Sequence, residues 1–552
     1  MRAHRWLLLA TLIAACGSSP ASHEHAPRSA ARLGRYAKQV HARFDPERAH
    51  ATVAYVDRHF RVRGNEGYAK TLERVRAELN AAGLSPMRAL SFGPVRPTWT
   101  PRSARLALAG EPEPLIAFSS EADRDRACLL VGSTPVPERE IEVVRAEALR
   151  AGESARGRAV LMEGEPRSAI VRRLIGEGAA GVLVRNLELY HSSDPDVAQF
   201  GYLPPHPGAF FGFSLSRRAW ERLRSATQHG PARVRVSVDV SVGESAAAAI
   251  EARIEGTDPS AGAIVFVAHA DEPGANDNAS GVAALAELAG ALQRAIDEGA
   301  VLRPRRTLVF LWGQEIEVAR EWLADPPLPV GAGLVMDMVG AEPSVVGAPF
   351  LIERMPDPGA IWLRAPDAHT EWGAAEITED ALRGHFLNDL VAAATAEVER
   401  IDGPWRWRSH PFEGGSDHVA FLEEGLPAVL AWHFTDDAYH TTLDRLERVS
   451  GAEMRRVAAV LGAVALALAG DREDGLEVTR IVGEASRARL ISLGAASSAL
   501  IREGRSSAGE EERVRDAWVA WYREALSSIA AWFGEAPALT QAIDSARSRL
   551  GP

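Results

Sequence analysis

The chain has 552 residues, enough for about two to four domains at roughly 100–200 residues each. Its 25% charged and 46% hydrophobic residues describe globular protein rather than disorder. The 74 acidic against 62 basic side chains, net −12, argue against nucleic acid as the main partner, since phosphate binding needs a basic face. With only Cys16 and Cys128, a disulfide scaffold and a multi-thiolate zinc site are excluded. Any metal must be held by His, Asp and Glu, with 16 histidines to choose from.

Residues 1–15 read as a secretory signal: Arg2 and Arg5 precede a ten-residue run, 6–15, apolar except for Thr11. As a helix this run rises only about 15 Å, half of a bilayer core, which marks export rather than a membrane span. It ends Ile13-Ala14-Ala15-Cys16-Gly17-Ser18-Ser19. That resembles a bacterial lipobox and implies that Cys16 is the lipidated first residue; the other reading is an ordinary signal peptide with an incidental cysteine. Residues 16–32 would then be a lipid-anchored tether, with membrane contact through the anchor only. The implied location is the bacterial cell envelope, periplasmic or surface facing. The outer membrane is favoured because Gly17 is not the Asp that often retains lipoproteins at the inner one. Cys128 is expected to be a buried bystander. No later segment has 18 uninterrupted apolar residues.

Residues 33–84 are mostly helical in pattern, most clearly at Tyr68, Leu72, Val75 and Leu79, with Gly83 closing the run. Pro-rich residues 91–101 break the pattern, and 104–109 and 128–131 read as short strands. An α/β rhythm follows, with a strand at 159–162, a helix over Ala169–Gly176, and a turn and strand at 178–184. The run Glu177-Gly178-Ala179-Ala180-Gly181-Val182-Leu183-Val184-Arg185-Asn186, with Phe213-Ser214-Leu215-Ser216 and a helix at 218–225, resembles a protease-associated domain. The resemblance implies a non-catalytic insert over 95–245 that shapes access to a neighbouring site; a generic α/β segment is the plainer reading.

From 246 onward, strands at 264–268, 306–312 and 333–336 and a helix at 281–296 predict an α/β fold. Continuous apolar strands alternating with helices mean a mostly parallel sheet covered on both faces. After Asp471 the pattern is helical only, and Val514, Trp518, Trp521, Ala525, Ile529 and Trp532 form one apolar stripe, read as a helix packed on the main domain. The expected organisation is a signal peptide (1–15), a tether (16–32), a split domain (33–94 and 246–470), an insert (95–245) and a C-terminal helical segment (471–552).

Four polar clusters sit at the ends of the apolar runs, where open α/β sheets bind ligands. In Ala268-His269-Ala270-Asp271, His269 suits a metal, with Asp271 fixing its orientation; a solvated histidine is the plain alternative. Gly274-Ala275-Asn276-Asp277-Asn278-Ala279-Ser280-Gly281 opens a helix with small residues that allow close backbone approach. Asp277 would project into the site, or the loop would be merely an N-cap. Trp312-Gly313-Gln314-Glu315-Ile316-Glu317 offers two carboxylates, for a general base and a ligand, or else an exposed helix start. The fourth cluster joins Asp337, Gly415-Ser416-Asp417-His418 ahead of a helix at 419–424, and Asp437-Ala438-Tyr439-His440-Thr441-Thr442. A carboxylate after buried apolar residues needs a partner.

Taken in order, His269, Asp277, Glu315, Asp337 and His440 resemble the co-catalytic-zinc aminopeptidase family, whose relatives include bacterial leucyl aminopeptidases, glutamate carboxypeptidase and glutaminyl cyclase. Its pattern is H-x-D, G-A-N-D-D/N-A-S-G, E-E, a strand ending D-M, S-D-H and Y-H-T; all but the E-E pair are present. The resemblance covers about 35–90 and 246–470. It implies that Asp277 bridges two zinc ions, that His269 and Asp337 complete one, and that His440 and a glutamate complete the other. Asp271 would hold His269, and Asp417 and His418 would support the site. N and O ligands suit zinc, with cobalt or manganese as alternatives. The ions would lower the pKa of a shared water and polarise the scissile carbonyl, and a Glu would move the proton.

The departure lies at Glu315-Ile316-Glu317. Glu315 falls on the base position and Ile316, which cannot bind metal, on the ligand position. Either Glu317 takes the ligand role, or Glu315 serves alone with one ion weakly held, or peptidase activity is lost. A long stretch at 341–409 carries a helix at 379–400 and Trp405-Arg406-Trp407, which either line a pocket or are simply packed. The implied function is zinc-dependent exopeptidase action, that of an aminopeptidase on peptide substrates, its direction carried by the family. The alternatives are a catalytically impaired binding or receptor-like protein and a single-zinc glutaminyl-peptide cyclotransferase; an envelope scaffold has little support.

Overall fold

Helices α1 (Ala31–His41), α2 (Pro46–Val56) and α3 (Glu66–Ala81) open the computed structural model, which describes residues 30–150 and 152–551. The signal segment 1–15 and Cys16 lie outside the described residues, and the end of the expected tether is already the first turn of α1. Asp45 caps α2 by accepting from the Glu47 and Arg48 N–H groups, and Asn65 caps α3 by accepting from Tyr68 N–H. Tyr68, Leu72, Val75 and Leu79 are buried on one stripe of α3.

Next come β1 (Met87–Leu108), β2 (Ile116–Phe118), β3 (Val136–Arg145), α4 (Ala146–Arg150), β4 (Ala159–Glu163), α5 (Ala169–Gly176), β5 (Gly181–Arg185), β6 (Phe211–Ser214), α6 (Arg217–Ala226) and β7 (Ala232–Ile254). Strands β1 and β7 form one long antiparallel ribbon, from Met87 opposite Ala252 to Leu108 opposite Val234. One end of β7 pairs with β3, from which β4, β5 and β6 continue as parallel strands. The Pro-rich stretch, expected to break the pattern, is therefore strand. Its prolines are tolerated because β2 reaches only Ala104–Leu106 on the far side of β1, leaving that edge unpaired beforehand. Register slips between Phe92 and Arg96 and between Pro101 and Ser103 absorb the remaining mismatch. Residues 128–131 are not a strand: Arg124–Cys128 is a 3-10 turn, and Leu129 and Val131 make isolated bridges. Cys128 is buried and free.

The other lobe contains β8 (Ala263–His269), α7 (Ala279–Asp297), β9 (Thr307–Gly313), α8 (Glu317–Ala324), β10 (Val330–Met336), β11 (Phe350–Glu353), α9 (Leu387–Asp402), β12 (Trp407–His410), α10 (His418–Glu423), β13 (Ala428–His433) and α11 (Gly451–Leu468). The sheet order is β12-β11-β13-β10-β8-β9-β7, and β13, β10, β8 and β9 are mutually parallel. Side chains alternate between two cores. Phe266, Phe310 and Met336 face α1–α3, α7 and α11, whereas Val265, Val309 and Val335 face α8 and α10. Phe266 and Phe310 stack with centroids 5.1 Å apart. The helix expected at 379–400 starts at Leu387, with a 3-10 turn at Glu379–Ala381 before it. Trp405 and Trp407 are packing residues: Trp405 stacks on Phe350 at 4.6 Å, and their indole N–H groups donate to Glu453 and Glu399.

Helices α12 (Arg472–Arg502), α13 (Ala508–Phe533) and α14 (Pro537–Ser548) end the chain. Val514, Trp518, Trp521, Ala525 and Ile529 are buried against the main core, and Trp532 lies under the Arg306 guanidinium at 4.2 Å. Among the described residues no helix is long and apolar enough to cross a membrane. The helical segment docks through Gly384, where a Cβ would meet the Trp521 carbonyl oxygen at 2.1 Å. Gly384→Ala is expected to destabilise the chain by about 1–3 kcal/mol through overpacking against backbone, read as a lower melting temperature by circular dichroism.

Candidate metal centre

Because β8, β9, β10 and β13 run parallel, their carboxyl ends share one edge. His269 ends β8, Glu315 follows β9, Asp337 follows β10, and the chain leaving β13 carries Asp436, Tyr439 and His440. Asp277 comes from the loop between β8 and α7.

Hydrogen bonds with no freedom left in them hold that loop. Asp444 accepts from the N–H groups of Asn276 (2.6 Å) and Asp277 (2.9 Å). Asn276 Nδ2 donates to Asp436 (3.0 Å), and Asn278 Oδ1 accepts from Gly281 N–H (3.0 Å) and Met338 N–H (3.1 Å). A Cβ at Gly274 would lie 2.0 Å from Asp444 Oδ2, and one at Gly281 2.4 Å from the Met336 carbonyl oxygen, so both close approaches require glycine. The result is an Asp277 carboxylate that faces two ways. Oδ1 lies 3.4 Å from His269 Nε2, and Oδ2 lies 3.1 Å from His440 Nε2. Asp337 Oδ1 is 3.7 Å from His269 Nε2, and Ser416 Oγ donates to Asp337 Oδ2 (2.8 Å).

Four of the sequence-predicted residues, His269, Asp277, Asp337 and His440, thus meet, and the Glu315 carboxylate joins His269 and Asp337, with donor atoms within 4.8 Å of one another. Two other expectations, those for Asp271 and Glu317, need correction. The carboxylate that receives His269 Nδ1–H is Asp417 (3.2 Å), not Asp271, which instead accepts from Glu315 N–H (2.9 Å). Asp417 also accepts from Ile316 N–H (2.7 Å). Glu317 does not enter the site. The Val318 N–H bond to the Gln314 carbonyl starts α8 immediately, which turns Glu317 toward Arg96 (3.2 Å) and Arg63 (4.0 Å). His418 acts at a distance, donating to Glu353 (2.8 Å), which also accepts from the Glu413 and Gly414 N–H groups and so braces the loop bearing Ser416 and Asp417.

Two residues are given no role by the sequence alone. Asp444 clamps the Asp277 loop; its signal is a carboxylate next to a buried run, which demands donors. Glu272 lies one residue beyond the H-x-D motif, with its Oε2 3.1 Å from His440 Nε2. Glu272, Ile316, Met338 and His440 are the non-glycine residues with positive φ among those described, at 72°, 59°, 52° and 55°. Each costs on the order of 1–3 kcal/mol, and such strain concentrates at functional sites.

The donor set fits a divalent cation. It is all N and O, and Asp277 Oδ2 and Asp337 Oδ1 are buried with no hydrogen-bond partner. Asp417 holds a His269 proton on Nδ1, so Nε2 is the nitrogen that would face a cation once its own proton is released. A second cluster, Glu353, His410 and Glu413, has similar spacing. There Trp432 Nε1 donates to His410 Nε2 (2.9 Å), which puts the ring proton on Nδ1 facing Glu413. With no free imidazole lone pair, that cluster is a hydrogen-bonded brace.

The electrostatics are those of crowded carboxylates around two imidazoles. Burial pushes Asp337 up to about 7 against the pull of His269, and pushes Asp271 up to about 6. Burial and the Asp277 carboxylate push Glu272 up to about 7. Burial drives Glu315 well above the usual carboxylate range. Asp277, although buried, is held well below that range by His269 and His440. Burial alone would lower His269, but Asp337 and Glu315 raise it well above the ordinary histidine range; Glu272 and Asp277 do the same for His440.

An open cleft of ≈ 410 Å³ leads to this edge. Asp271, Glu272, Gln314 and Glu315 line it together with Arg63, and Val131, Arg167 and Tyr202 line it from the facing lobe. The facing lobe is tied to the His440 loop by backbone bonds: Phe200 N–H to the His440 carbonyl (2.6 Å), Thr442 N–H to the Ala198 carbonyl (2.9 Å) and Ser192 N–H to the Asp437 carbonyl (2.9 Å).

Residues 250–465 match the sequence pattern of peptidase family M28. No curated protein matches the sequence. Among solved structures, a peptidase M28 precursor from Shewanella amazonensis SB2B is similar at 16% identity and a TM-score of 0.55, covering 80% of this chain and 98% of its own. A zinc aminopeptidase from Bacillus subtilis is similar at 15% identity and a TM-score of 0.50, covering 76% and 94%. At these identities the likeness is one of fold.

Protons and metal compete for the same atoms. Asp337 and Glu272, pushed up to about 7 in the metal-free chain, hold protons below that pH and release them on binding. His269 and His440, raised above the ordinary histidine range, must give up protons as well, so Zn2+ affinity is expected to fall as pH drops from above 7 downward. The rise in melting temperature on adding Zn2+ should be larger at pH 8 than at pH 5.5.

Proposed function

We propose that this chain, a metallopeptidase of family M28 through its residues 250–465, removes amino-terminal residues from peptides with a pair of divalent ions, zinc first among them. The observation that supports this most is the two-faced Asp277 carboxylate, one oxygen toward His269 and the other toward His440. A carboxylate placed between two imidazoles suits a pair of ions better than the single zinc of a cyclotransferase. When bound, the ions would supply a water of lowered pKa and polarise the scissile carbonyl.

The remaining work falls to side chains. Asp277, His269, Asp337 and His440 would hold the ions. Ser416 and Asp417 fix the orientations of Asp337 and His269. Glu315, at the cleft wall and well above the usual carboxylate range, has the proton affinity of a general base that takes the water's proton and delivers it to the leaving amine. Its backbone N–H, held by Asp271, fixes where that carboxylate starts. The acidic side of the cleft, with Asp271 and Glu315, favours the ammonium end of a peptide. The segment resembling a protease-associated domain supplies the facing wall and limits what enters.

A reading in which the chain binds without hydrolysing draws on Ile316, which cannot supply the second glutamate. One experiment separates the two. The wild-type chain is expected to cleave an aminoacyl-anilide but not its N-acetylated form. Glu315→Gln is expected to lower kcat by about 10²–10⁴-fold, the usual worth of a general base, while its metal content stays unchanged. A wild-type chain that holds metal but cleaves no anilide would favour the binding reading.

The amino terminus belongs to the same proposal. Arg2, Arg5, the apolar run at 6–15 and Cys16 support export and lipid attachment in the cell envelope. Radiolabelled palmitate should label the wild-type chain and not Cys16→Ala; equal labelling of both would remove the anchor from the proposal.

A further inference from the structure

The donor set around His440 is one carboxylate short if only the sequence-predicted ligands are counted. Ile316 has no donor atom in its side chain, and its N–H is committed to Asp417 at 2.7 Å. Glu317 faces Arg96 and Arg63 at the start of α8. Yet the position is not empty of carboxylate. Glu272, on the turn leaving β8, places Oε2 3.1 Å from His440 Nε2, and the same imidazole nitrogen lies 3.1 Å from Asp277 Oδ2. Oxygen atoms of Glu272 and Asp277 also lie within 4.8 Å of a His269 nitrogen and of each other.

We propose that Glu272 is the terminal carboxylate ligand of the ion held by His440 and Asp277, taking from the β8 turn the place that Ile316 leaves vacant after β9. The inference rests on the two-ion reading given above and names a ligand for it.

Three observations carry it. The first is convergence: an imidazole nitrogen and oxygens from two carboxylates meet at one point, the N/O set that zinc accepts. The second is the cost of the arrangement without an ion. Two carboxylates side by side, Asp277 buried and Glu272 largely so, repel one another, and one imidazole shared between them leaves a net negative charge. The third is backbone conformation. Glu272 sits at φ 72°, a left-handed geometry that a glutamate adopts only where its surroundings impose it. That geometry directs the side chain toward His440, whereas Asp271, just before it, turns to Glu315 N–H. Ile316 at φ 59° marks the matching distortion on the β9 side. The metal-holding carboxylate has moved from one strand exit to the neighbouring one.

The test measures metal rather than turnover. Chelator-stripped wild-type chain, Glu272→Gln, and Glu272→Gln combined with Ile316→Glu are titrated with Zn2+ by calorimetry. Each is then loaded with Co2+ for its visible absorption spectrum, and circular dichroism verifies folding. The isosteric amide keeps the volume of Glu272, so the fold is expected to survive. Wild type should take up two ions per chain. Glu272→Gln should bind the second at least about 100-fold more weakly, more than the 10–100-fold that losing an outer partner causes, with loss of the matching Co2+ band. Ile316→Glu in that background should recover the second ion, which a general structural lesion would not allow. If Glu272→Gln keeps both ions at unchanged affinity and only KM for peptides rises, Glu272 holds the substrate ammonium and the assignment is overturned. If wild type takes up no divalent ion, it is the two-ion reading that fails, not the choice of Glu272 over Ile316.

Discussion

A carboxylate buried between two imidazoles, with one oxygen for each, sets the terms for everything around it. Asp277 can face both His269 and His440 only if its backbone is fixed, and fixing it takes the N–H groups that Asp444 receives. It also takes the Asn276 and Asn278 side chains, which stitch the loop to the chain leaving β10, and two glycines that let the strands of that knot touch. The sheet supplies the other half of the constraint. Four parallel strands ending at one edge bring together residues as distant in sequence as His269 and His440 without a long connecting loop at the site.

The strands and the residues at their ends were readable from sequence because buried parallel strands are uninterrupted apolar runs, and a polar residue at the end of one stands out. His269, Asp337 and the Asp277 loop fall in that class. Glu272 does not. Its role depends on a left-handed turn after β8, and a glutamate gives no hint of that conformation as a glycine would. Glu317 misled for a related reason. It could reach the ligand position only through a local shift of the chain, but helix α8 begins at once and rotates it toward two arginines. Asp271 and Asp417 exchanged expected duties because an orienting partner is chosen by distance across the fold, 148 residues apart for His269 and Asp417, rather than by adjacency in a motif.

The Pro-rich stretch shows the same limit on the scale of a whole element. Three prolines in eleven residues read as a break, and in a central strand they would be one. On β1 they face an edge that β2 does not reach, so the ribbon with β7 survives with two slips of register. Local composition was read correctly; what it lacked was the identity of the neighbour.

That ribbon has a mechanical consequence. Two strands more than twenty residues long belong to both lobes at once, so no flexible linker exists about which the lobes could swing. The ladder is weakest where pairing lapses between Phe92 and Arg96, and any flexing of the cleft would concentrate there. The far lobe is also fastened to the His440 loop through Phe200, Ala198 and Ser192, so such flexing would pull on an imidazole of the site itself. The width of the cleft and the hold on His440 are in this molecule a single degree of freedom.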